Sequence, residues 1–291
     1  MTTVRQFYEQ HPDLTVLPLQ KNWPTMYDLP SEDPKEPGLP DEFHDLQPQL
    51  LSATLRLADV AKDQIFTGTD LNLYYDRDNS TWYKRPDWFM AKDVPRLYAG
   101  KDLRLSYVVW DEQVAPSVVV ELISPGTSMS DLGEVRREQN GTPTKWQVYE
   151  SILKVPYYVV FDRYKDRLWV FQLVEGTYQA QDVSDFRYWL SDLGIGIGIW
   201  QGEFQGITRP WLRWFDIEGN WILTETEYEC QRADTEKQQR LDSEQNAAIA
   251  LQKAETERQR AETEHQRAET ERQRAEQLAE RLRQLGLDPN E

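Results

Sequence analysis

Two acids and a lysine in the middle of the chain have the residue types and settings that metal-assisted hydrolysis needs. Asp87 follows a proline where an apolar run begins, and Glu121 stands inside the apolar run 117–123. Because a carboxylate is costly to bury unless it is paired or binds a cation, an acid among valines needs a partner. Lys145 opens a helix-like run further along the chain. These three residues are the candidate site.

The chemistry that this set favours is hydrolysis at a phosphorus centre. Two carboxylates, a carbonyl and waters form the oxygen-rich site that Mg²⁺ prefers, and Mn²⁺ suits a similar set. A bound ion of this kind activates water and stabilises charge that develops on the phosphate. We expect Asp87 and Glu121 to hold the metal. Lys145 would orient the attacking water or help to deprotonate it, and would stabilise the phosphate in the transition state.

Each residue also has a plainer interpretation, which the sequence leaves open. An aspartate after a proline is common at strand edges, and a lysine at the start of a helix is usually solvated. Glu121 could instead pair with Arg85 or Arg104. Other chemistries lack their residues: the sequence has no Gly-x-Ser-x-Gly or phosphate-loop motif, its one cysteine is Cys230, and its three histidines are scattered.

The elements that must position these residues predict a mixed α/β fold. A helix is expected from Asp41, a plausible N-cap, with apolar residues following at helical spacing up to Leu55. A second helix is expected over 145–153. Strands are predicted within 65–75, 82–90, 103–110, 117–123, 157–162 and 168–173. One predicted strand thus separates those of Asp87 and Glu121 in sequence, and a shared sheet would let both carboxylates converge.

The run 193–200 alternates glycine with apolar residues. One interpretation is close approach of a ligand or another backbone. The simpler interpretation, which we favour, is a strand with one bare face against aromatic neighbours. The run does not match a dinucleotide-binding fingerprint, because no helix follows it.

Composition divides the chain into three regions. Residues 1–40 form a proline-rich arm, 41–224 the candidate catalytic domain, and 225–291 a charged tail. The tail repeats Ala-Glu-Thr-Glu-Arg-Gln-Arg in heptads from Ala254, with one change to His265. A single alanine per heptad makes a tight coiled coil improbable. The tail therefore predicts a solvated helix or a weak homo-oligomer device, and a specific partner site is the sharper alternative.

Charge and cysteine content bound the partners and the compartment. The net charge is −17, of which the tail, with 17 acids and 11 basic residues, carries −6. The remaining −11 argues against unaided tight binding to nucleic acid. One cysteine, no signal-peptide-like start and no long apolar run predict a cytoplasmic protein without a membrane span.

Five segments carry a recognisable motif pattern: Arg-Pro-Asp at 85–87, Val-Val-Glu-Leu-Ile-Ser-Pro-Gly-Thr at 119–127, Asp-Leu-Gly at 131–133, Lys-Trp-Gln-Val-Tyr at 145–149, and Val-Pro-Tyr-Tyr-Val-Val-Phe-Asp at 155–162. In these segments the chain resembles the Uma-two family of restriction-type endonucleases, of the PD-(D/E)XK nuclease superfamily. The charged tail resembles cyanobacterial members. The resemblance implies a restriction-endonuclease-like α/β sheet flanked by helices, a long charged C-terminal helix, and DNA as substrate.

The resemblance also implies site residues. The family's strand-borne acids fall on Asp87 and Glu121, and its helix-borne lysine falls on Lys145. The superfamily's usual lysine position holds Ile123 instead. A short hairpin that usually precedes the family's first helix is replaced here by the proline-rich arm, which leaves Glu42 as the candidate for an additional metal-assisting acid.

Three functions follow as hypotheses. The first is a Mg²⁺- or Mn²⁺-dependent DNA endonuclease. The second is a catalytically inactive nuclease-fold protein that uses its C-terminal helix for assembly, which suits the acidic charge. The third is metal-dependent hydrolysis of a phosphoester in a small nucleotide.

Overall fold

The apolar runs of the sequence fold into a central sheet with a layer packed on each face. The computed structural model describes residues 41–124, 131–133 and 141–284. The predicted proline-rich arm, 1–40, lies outside the described residues, as does most of the segment between Asp131 and Lys145.

Helices and strands alternate irregularly along the described part of the chain. The helices are α1 (Glu42–Thr54), α2 (Val109–Glu112), α3 (Lys145–Gln147, continued by a π-helical turn Val148–Ile152) and α4 (Glu225–Gln284), with a short 3₁₀ turn at Lys62–Gln64. The strands are β1 (Ile65–Thr69), β2 (Leu73–Tyr74), β3 (Tyr83–Lys84), β4 (Trp88–Lys92), β5 (Tyr107–Val108), β6 (Val118–Leu122), β7 (Tyr157–Asp162), β8 (Arg167–Val174), β9 (Thr177–Ala180), β10 (Arg187–Leu190), β11 (Ile195–Phe204) and β12 (Ile207–Phe215).

The main sheet has the order β1-β4-β6-β7-β8-β9. Only β6 and β7 run parallel, and the other neighbours are antiparallel. Two smaller sheets have the orders β10-β11-β12 and β3-β2-β5. The prediction of a mixed α/β fold of the restriction-endonuclease-like type, with a long C-terminal helix, is confirmed.

The alternation of residues along β6 assigns its two faces to two cores. Val118, Val120 and Leu122 join the core formed with α1 and the β10-β11-β12 sheet. Val119 and Ile123 join the opposite core, which includes α3 and the small β3-β2-β5 sheet. Because all of β6 is buried, its side chains are apolar on both faces apart from Glu121.

The first helix begins where the sequence predicts. The side chain of Asp41 accepts a hydrogen bond from the backbone N–H of His44, as an N-cap does. Phe43, Leu50 and Leu51 on one side of α1 are buried. Gln47 binds β12 through both its amide atoms, donating to the Leu212 carbonyl and accepting from its N–H, each at 2.8 Å. This packing holds α1 against the sheet.

The predicted strand over 103–110 is wrong in most of its length. Only Tyr107–Val108 forms a strand, β5, and it pairs with β2 rather than joining the main sheet. Arg104 is instead drawn into an ion pair with Glu112, at 2.6 Å, and donates to the carbonyls of Pro95 and Arg96. As a consequence β4 and β6 are direct neighbours, with no strand between them.

The charged tail forms a unit of its own. The chain separates into two compact units at the Thr224/Glu225 boundary. The second contains α4, 60 residues long, with no buried residue among those described. Pairs such as Arg232–Glu236 and Arg272–Glu276 link successive turns of this exposed helix. Among the described residues, none of the helices combines the length and apolar character needed to cross a membrane.

The alternating glycines belong to β11, where the favoured interpretation agrees with the structure. A Cβ atom at Gly196 would lie 2.0 Å from the ring of Phe215, and one at Gly202 would lie 2.0 Å from the ring of Trp200. The bare face of the strand thus makes room for aromatic side chains.

We expect Gly196→Val to destabilise the protein by about 1–3 kcal/mol, because the added side chain overlaps a buried aromatic ring. Denaturant unfolding followed by tryptophan fluorescence measures this change. Gly206→Asn is the control, since Gly206 has φ +77 with open space around it and asparagine tolerates that conformation. Equal effects of the two substitutions would show that packing against Phe215 is not what requires the glycine.

Candidate active site

The register between β4 and β6 brings the two predicted acids together. Trp88 lies opposite Val120, so Asp87, one residue before β4, lies level with Glu121. Each acid is two residues along the chain from Phe89 or Val119, so both acids face the same side of the sheet as these residues, which belong to the α3-side core. The backbone N–H of Asp87 points to Glu121 Oε2 at 3.5 Å, and Asp87 Oδ2 accepts a 2.6 Å hydrogen bond from the N–H of Leu122. The predicted convergence of the two residues is what the structure shows.

Glu121 is fully buried and both its oxygens have partners on α3. Lys145 Nζ lies 3.0 Å from Oε2, and the Tyr149 hydroxyl lies 2.9 Å from Oε1. Lys145 and Tyr149 are four residues apart, which places them on one helix face. The helix that the sequence predicted from Lys145 therefore delivers both groups to one carboxylate.

Local sequence explains why the helix starts at this lysine. The Thr144 hydroxyl accepts from the Gln147 N–H at 3.2 Å, and the Gln147 side chain accepts from the Thr144 N–H at 3.0 Å, forming a capping box. The next turn widens to a π-helix, closed by Leu153 N–H on the Val148 carbonyl. With 21% of its side chain exposed, Lys145 connects the buried Glu121 to solvent.

Asp131 is a third acid of this cluster, and sequence reasoning assigned it no role. Its Oδ1 lies 2.9 Å from Lys145 Nζ, so the ammonium sits between two carboxylates. Its backbone carbonyl accepts from the buried Tyr158 hydroxyl, and Gly133 nearby leaves room for the Trp146 ring. Its Oδ2 is buried without a hydrogen-bond partner among the described residues. The signal that could have found it was its place in the Asp-Leu-Gly segment of the family pattern.

His44 reaches the same site from the other face of the sheet. Its Nε2 lies 3.0 Å from the Leu122 carbonyl, and its Nδ1 lies 2.8 Å from Asp41 Oδ1. Asp41 in turn binds Arg163 Nη2 at 2.6 Å. In the sequence, His44 is one of three scattered histidines that do not form a metal-ligand pattern. Its position four residues after the proline-rich arm gave no sign of a contact with a residue 78 positions away.

The electrostatics follow from burying three acids around one lysine. Burial raises the pKa of Glu121 to about 8; the ammonium of Lys145 lowers it, and Asp87 and Asp131 raise it further. Burial also raises the pKa of Asp87, against the charges of Lys145 and His44. Burial lowers the pKa of Lys145, but the three acids outweigh it and leave the pKa well above its usual range. Lys145 is therefore an ammonium at neutral pH, whereas Glu121 keeps its proton up to about pH 8.

The plainer partners of Glu121 are excluded by the structure. Arg85 pairs with Asp70, and Arg104 pairs with Glu112. Glu42, the candidate for an additional metal-assisting acid, is exposed in the first turn of α1. Of that turn, His44 is the residue that contacts β6.

A divalent cation fits the donor set of this cluster. Among the described residues, no group of three or more His, Cys, Asp and Glu side chains is already arranged to hold a metal ion. Asp87 and Glu121 nevertheless present adjacent carboxylates, and Asp131 adds a buried oxygen without a partner. A cation would favour the ionised form of Glu121, whose pKa burial and then the neighbouring acids raise, and oxygen donors suit Mg²⁺ and Mn²⁺.

Comparison with known proteins now identifies the family. Residues 9–204 match the sequence model of the Uma2 family, described as "Putative restriction endonuclease". The chain belongs to this family. A search of curated proteins finds no match. The Uma2 match extends beyond the segments that carried the resemblance and covers more than half of the chain. Membership points to a nuclease, with DNA as the substrate class, and restriction-endonuclease-like families usually use a divalent metal.

The raised pKa of Glu121 predicts a specific dependence of stability on pH. Below its ordinary pKa the carboxyl is protonated in both the folded and unfolded states. Between that value and about 8 the folded state holds a proton that the unfolded state has lost. The contribution of Glu121 to stability is therefore complete below its ordinary pKa and is lost as the pH rises from that value through about 8. We expect the free energy of unfolding of wild type, relative to Glu121→Gln, to decrease between about pH 5 and pH 9.

Urea unfolding of both proteins across this pH range measures the difference, and equal m-values are the control that the unfolding reaction is the same. A difference that stays constant with pH would contradict the raised pKa.

Proposed function

We propose that this Uma2 protein is a metal-dependent DNA endonuclease that hydrolyses phosphodiester bonds at the Asp87–Glu121–Lys145 cluster. The observation that carries the proposal is the buried Glu121, bound by Lys145 and adjacent to Asp87 on the neighbouring strand of the main sheet. Family membership supports the nuclease activity, and the cluster supports the assignment of roles.

Asp87 and Glu121 would hold the ion, Mg²⁺ or Mn²⁺. The ion supplies Lewis acidity towards the phosphate and lowers the pKa of a bound water. The hydrogen bond from Leu122 N–H orients Asp87, and that from the Tyr149 hydroxyl orients Glu121. Such fixed carboxylates need little rearrangement to bind a cation.

Lys145 contributes as a cation. Because the surrounding acids keep it protonated, it can donate hydrogen bonds to the attacking water or to a phosphate oxygen, but it is a poor proton acceptor. Of the three roles that the sequence suggested, orientation of the water and charge stabilisation fit better than deprotonation. Asp131 binds the same ammonium as Glu121, at 2.9 Å, and so acts as a positioning residue for Lys145.

We expect Asp87→Asn, Glu121→Gln and Lys145→Met each to lower DNA cleavage by at least about 100-fold, the scale of losing one charged group at a transition state. Each variant should keep its circular dichroism spectrum. Cleavage of plasmid and of single-stranded DNA with Mg²⁺ or Mn²⁺ provides the measurement.

Lys101→Met is the matched control, since Lys101 is exposed in the turn between Tyr98 and Asp102 and should leave cleavage unchanged. Glu42→Gln tests the predicted additional metal-assisting acid. Wild type that cuts no duplex, single-stranded or structured DNA with either metal would overturn the enzyme proposal.

The exposed helix α4 supports a second candidate function, assembly. The 60 residues of α4 have no buried side chain in the described range, which leaves the surface of this helix open to a second copy. Its C-terminal turns carry Leu278 and Leu282, the most amphipathic part of the tail. Self-association through this end would make a homo-oligomer, and a protein with that sole role would assemble without cleaving DNA.

We expect the wild type to sediment as an oligomer. Leu278→Gln/Leu282→Gln should raise the dissociation constant of that oligomer at least about tenfold, since assembly would bury both leucines of each chain. Analytical ultracentrifugation measures the shift. Gln259→Ala, on the polar repeats of the same helix, is the control. A wild-type protein that is monomeric at all accessible concentrations would contradict assembly through α4.

A further inference from the structure

We infer that Arg85 and Arg163 bind backbone phosphates of the nucleic acid on the two sides of the candidate active site. This inference rests on the proposed function and names the protein groups that position the substrate there. Neither arginine belongs to the Asp87–Glu121–Lys145 cluster.

The strand registers place the two arginines at corresponding ends of neighbouring strands in the main sheet. Extending the β4–β6 register beyond Trp88 and Val120 brings Arg85 level with Ile123. Extending the β6–β7 register brings Arg163 level with Ser124. The arginines thus lie near the same strand ends as Glu121, just outside β4 and β7, the two strands that neighbour β6. At about 4.8 Å per strand, their backbones are roughly 10 Å apart across the sheet.

Arg85 has one carboxylate partner and donors to spare. Its Nη2 donates to the side chain of Asp70 and, at 3.3 Å, to the carbonyl of that residue. The Asp70 N–H donates to the Asp87 carbonyl, so this ion pair adjoins the candidate metal ligand. The Nε of Arg85 is buried and has no hydrogen-bond partner in the described part of the chain, while 32% of the side chain as a whole is exposed.

Arg163 repeats this arrangement on the other flank. Its Nη2 binds Asp41 and the Tyr164 hydroxyl, its Nε likewise has no partner within the described ranges, and 22% of its side chain is exposed. Asp41 and His44 link Arg163 to the backbone carbonyl of Leu122. The backbone N–H of the same leucine donates to Asp87.

A second guanidinium makes this flank more positive. Arg209 and Arg163 lie over the same ring, that of Phe43, at 4.4 and 5.3 Å from its centroid. Burial, and then the charge of Arg163, lowers the pKa of Arg209. Two guanidinium groups held this close repel each other, which a phosphate would relieve.

Phosphate is the anion that this arrangement fits. A guanidinium presents five donors in a fixed fork, and one carboxylate does not use them all. The two contacts would lie at the ends of the strands to either side of β6, with Arg163 against α1 on one face of the sheet. A net charge of −17 need not prevent phosphate binding at these local cations.

The test measures binding of the full-length protein to a short fluorescent DNA duplex by anisotropy. EDTA is present to prevent metal-dependent cleavage, and the salt concentration runs from about 50 to 200 mM. Each phosphate contact contributes about 0.9 to the slope of log K against log salt concentration. We expect Arg85→Gln and Arg163→Gln each to lower the slope by about 0.9, and the double variant to lower it by about twice as much.

Two controls separate phosphate binding from a structural role. Arg96→Gln removes an exposed arginine after the far end of β4 and should leave the slope unchanged. Asp70→Asn breaks the same ion pair as Arg85→Gln but keeps the cation, so its slope should equal that of wild type or exceed it. If Asp70→Asn and Arg85→Gln weaken binding alike, the arginine is structural and the inference is wrong.

The outcomes also separate this inference from the proposed function. Wild type that cleaves DNA while the arginine variants keep its salt slope overturns the inference and leaves the endonuclease standing. Binding that depends on both arginines, in a protein that never cleaves, supports the inference and overturns the endonuclease. If Arg163→Gln does not fold, Arg85→Gln with its Asp70→Asn control decides the matter. Wild type that does not bind the duplex at all overturns the inference.

Discussion

The structure depends on burying one carboxylate, Glu121, in the middle of the central sheet. Such a group is unstable there without partners, and the fold supplies a lysine, a tyrosine and a backbone N–H. These partners come from two elements, so β4 must pair with β6 and α3 must pack over them. The capping box at Thr144 and the π-helical turn then set where Lys145 and Tyr149 point. The geometry of the site is thus a requirement of the core as much as of catalysis.

The same burial has an energetic cost that the protein does not remove. Burial, and then the nearby acids Asp87 and Asp131, raise the pKa of Glu121 to about 8 in spite of the Lys145 ammonium. Apolar residues would pack more stably at these positions. Acids retained in such an unfavourable buried setting are typical of functional sites, where a bound ligand can stabilise their charged form. The unpartnered oxygen of Asp131 is consistent with this view.

Net charge is a poor guide to what this protein binds, because its charges are distributed unevenly. The tail carries part of the negative charge on a helix that forms a separate unit. In the globular unit, the acids of the candidate site are buried, whereas arginines lie at the neighbouring strand ends. What a polyanion meets at close range depends on these local groups, since exposed charges beyond about 8–10 Å are screened by salt.

The sequence by itself determined the elements and the candidate acids. The N-cap at Asp41, the apolar run around Glu121 and the start of a helix at Lys145 are local signals, which depend on residues close together in sequence. The sequence also predicted the charged tail as a solvated helix, because its composition has too few apolar residues to build a core. Only the tertiary structure decided which elements are neighbours. β5 pairs with β2 outside the main sheet, β4 pairs directly with β6, and Asp131 and His44 contact the site. Those contacts link residues up to 78 positions apart. They depend on how two faces of a sheet are covered, which no periodicity within a single segment records.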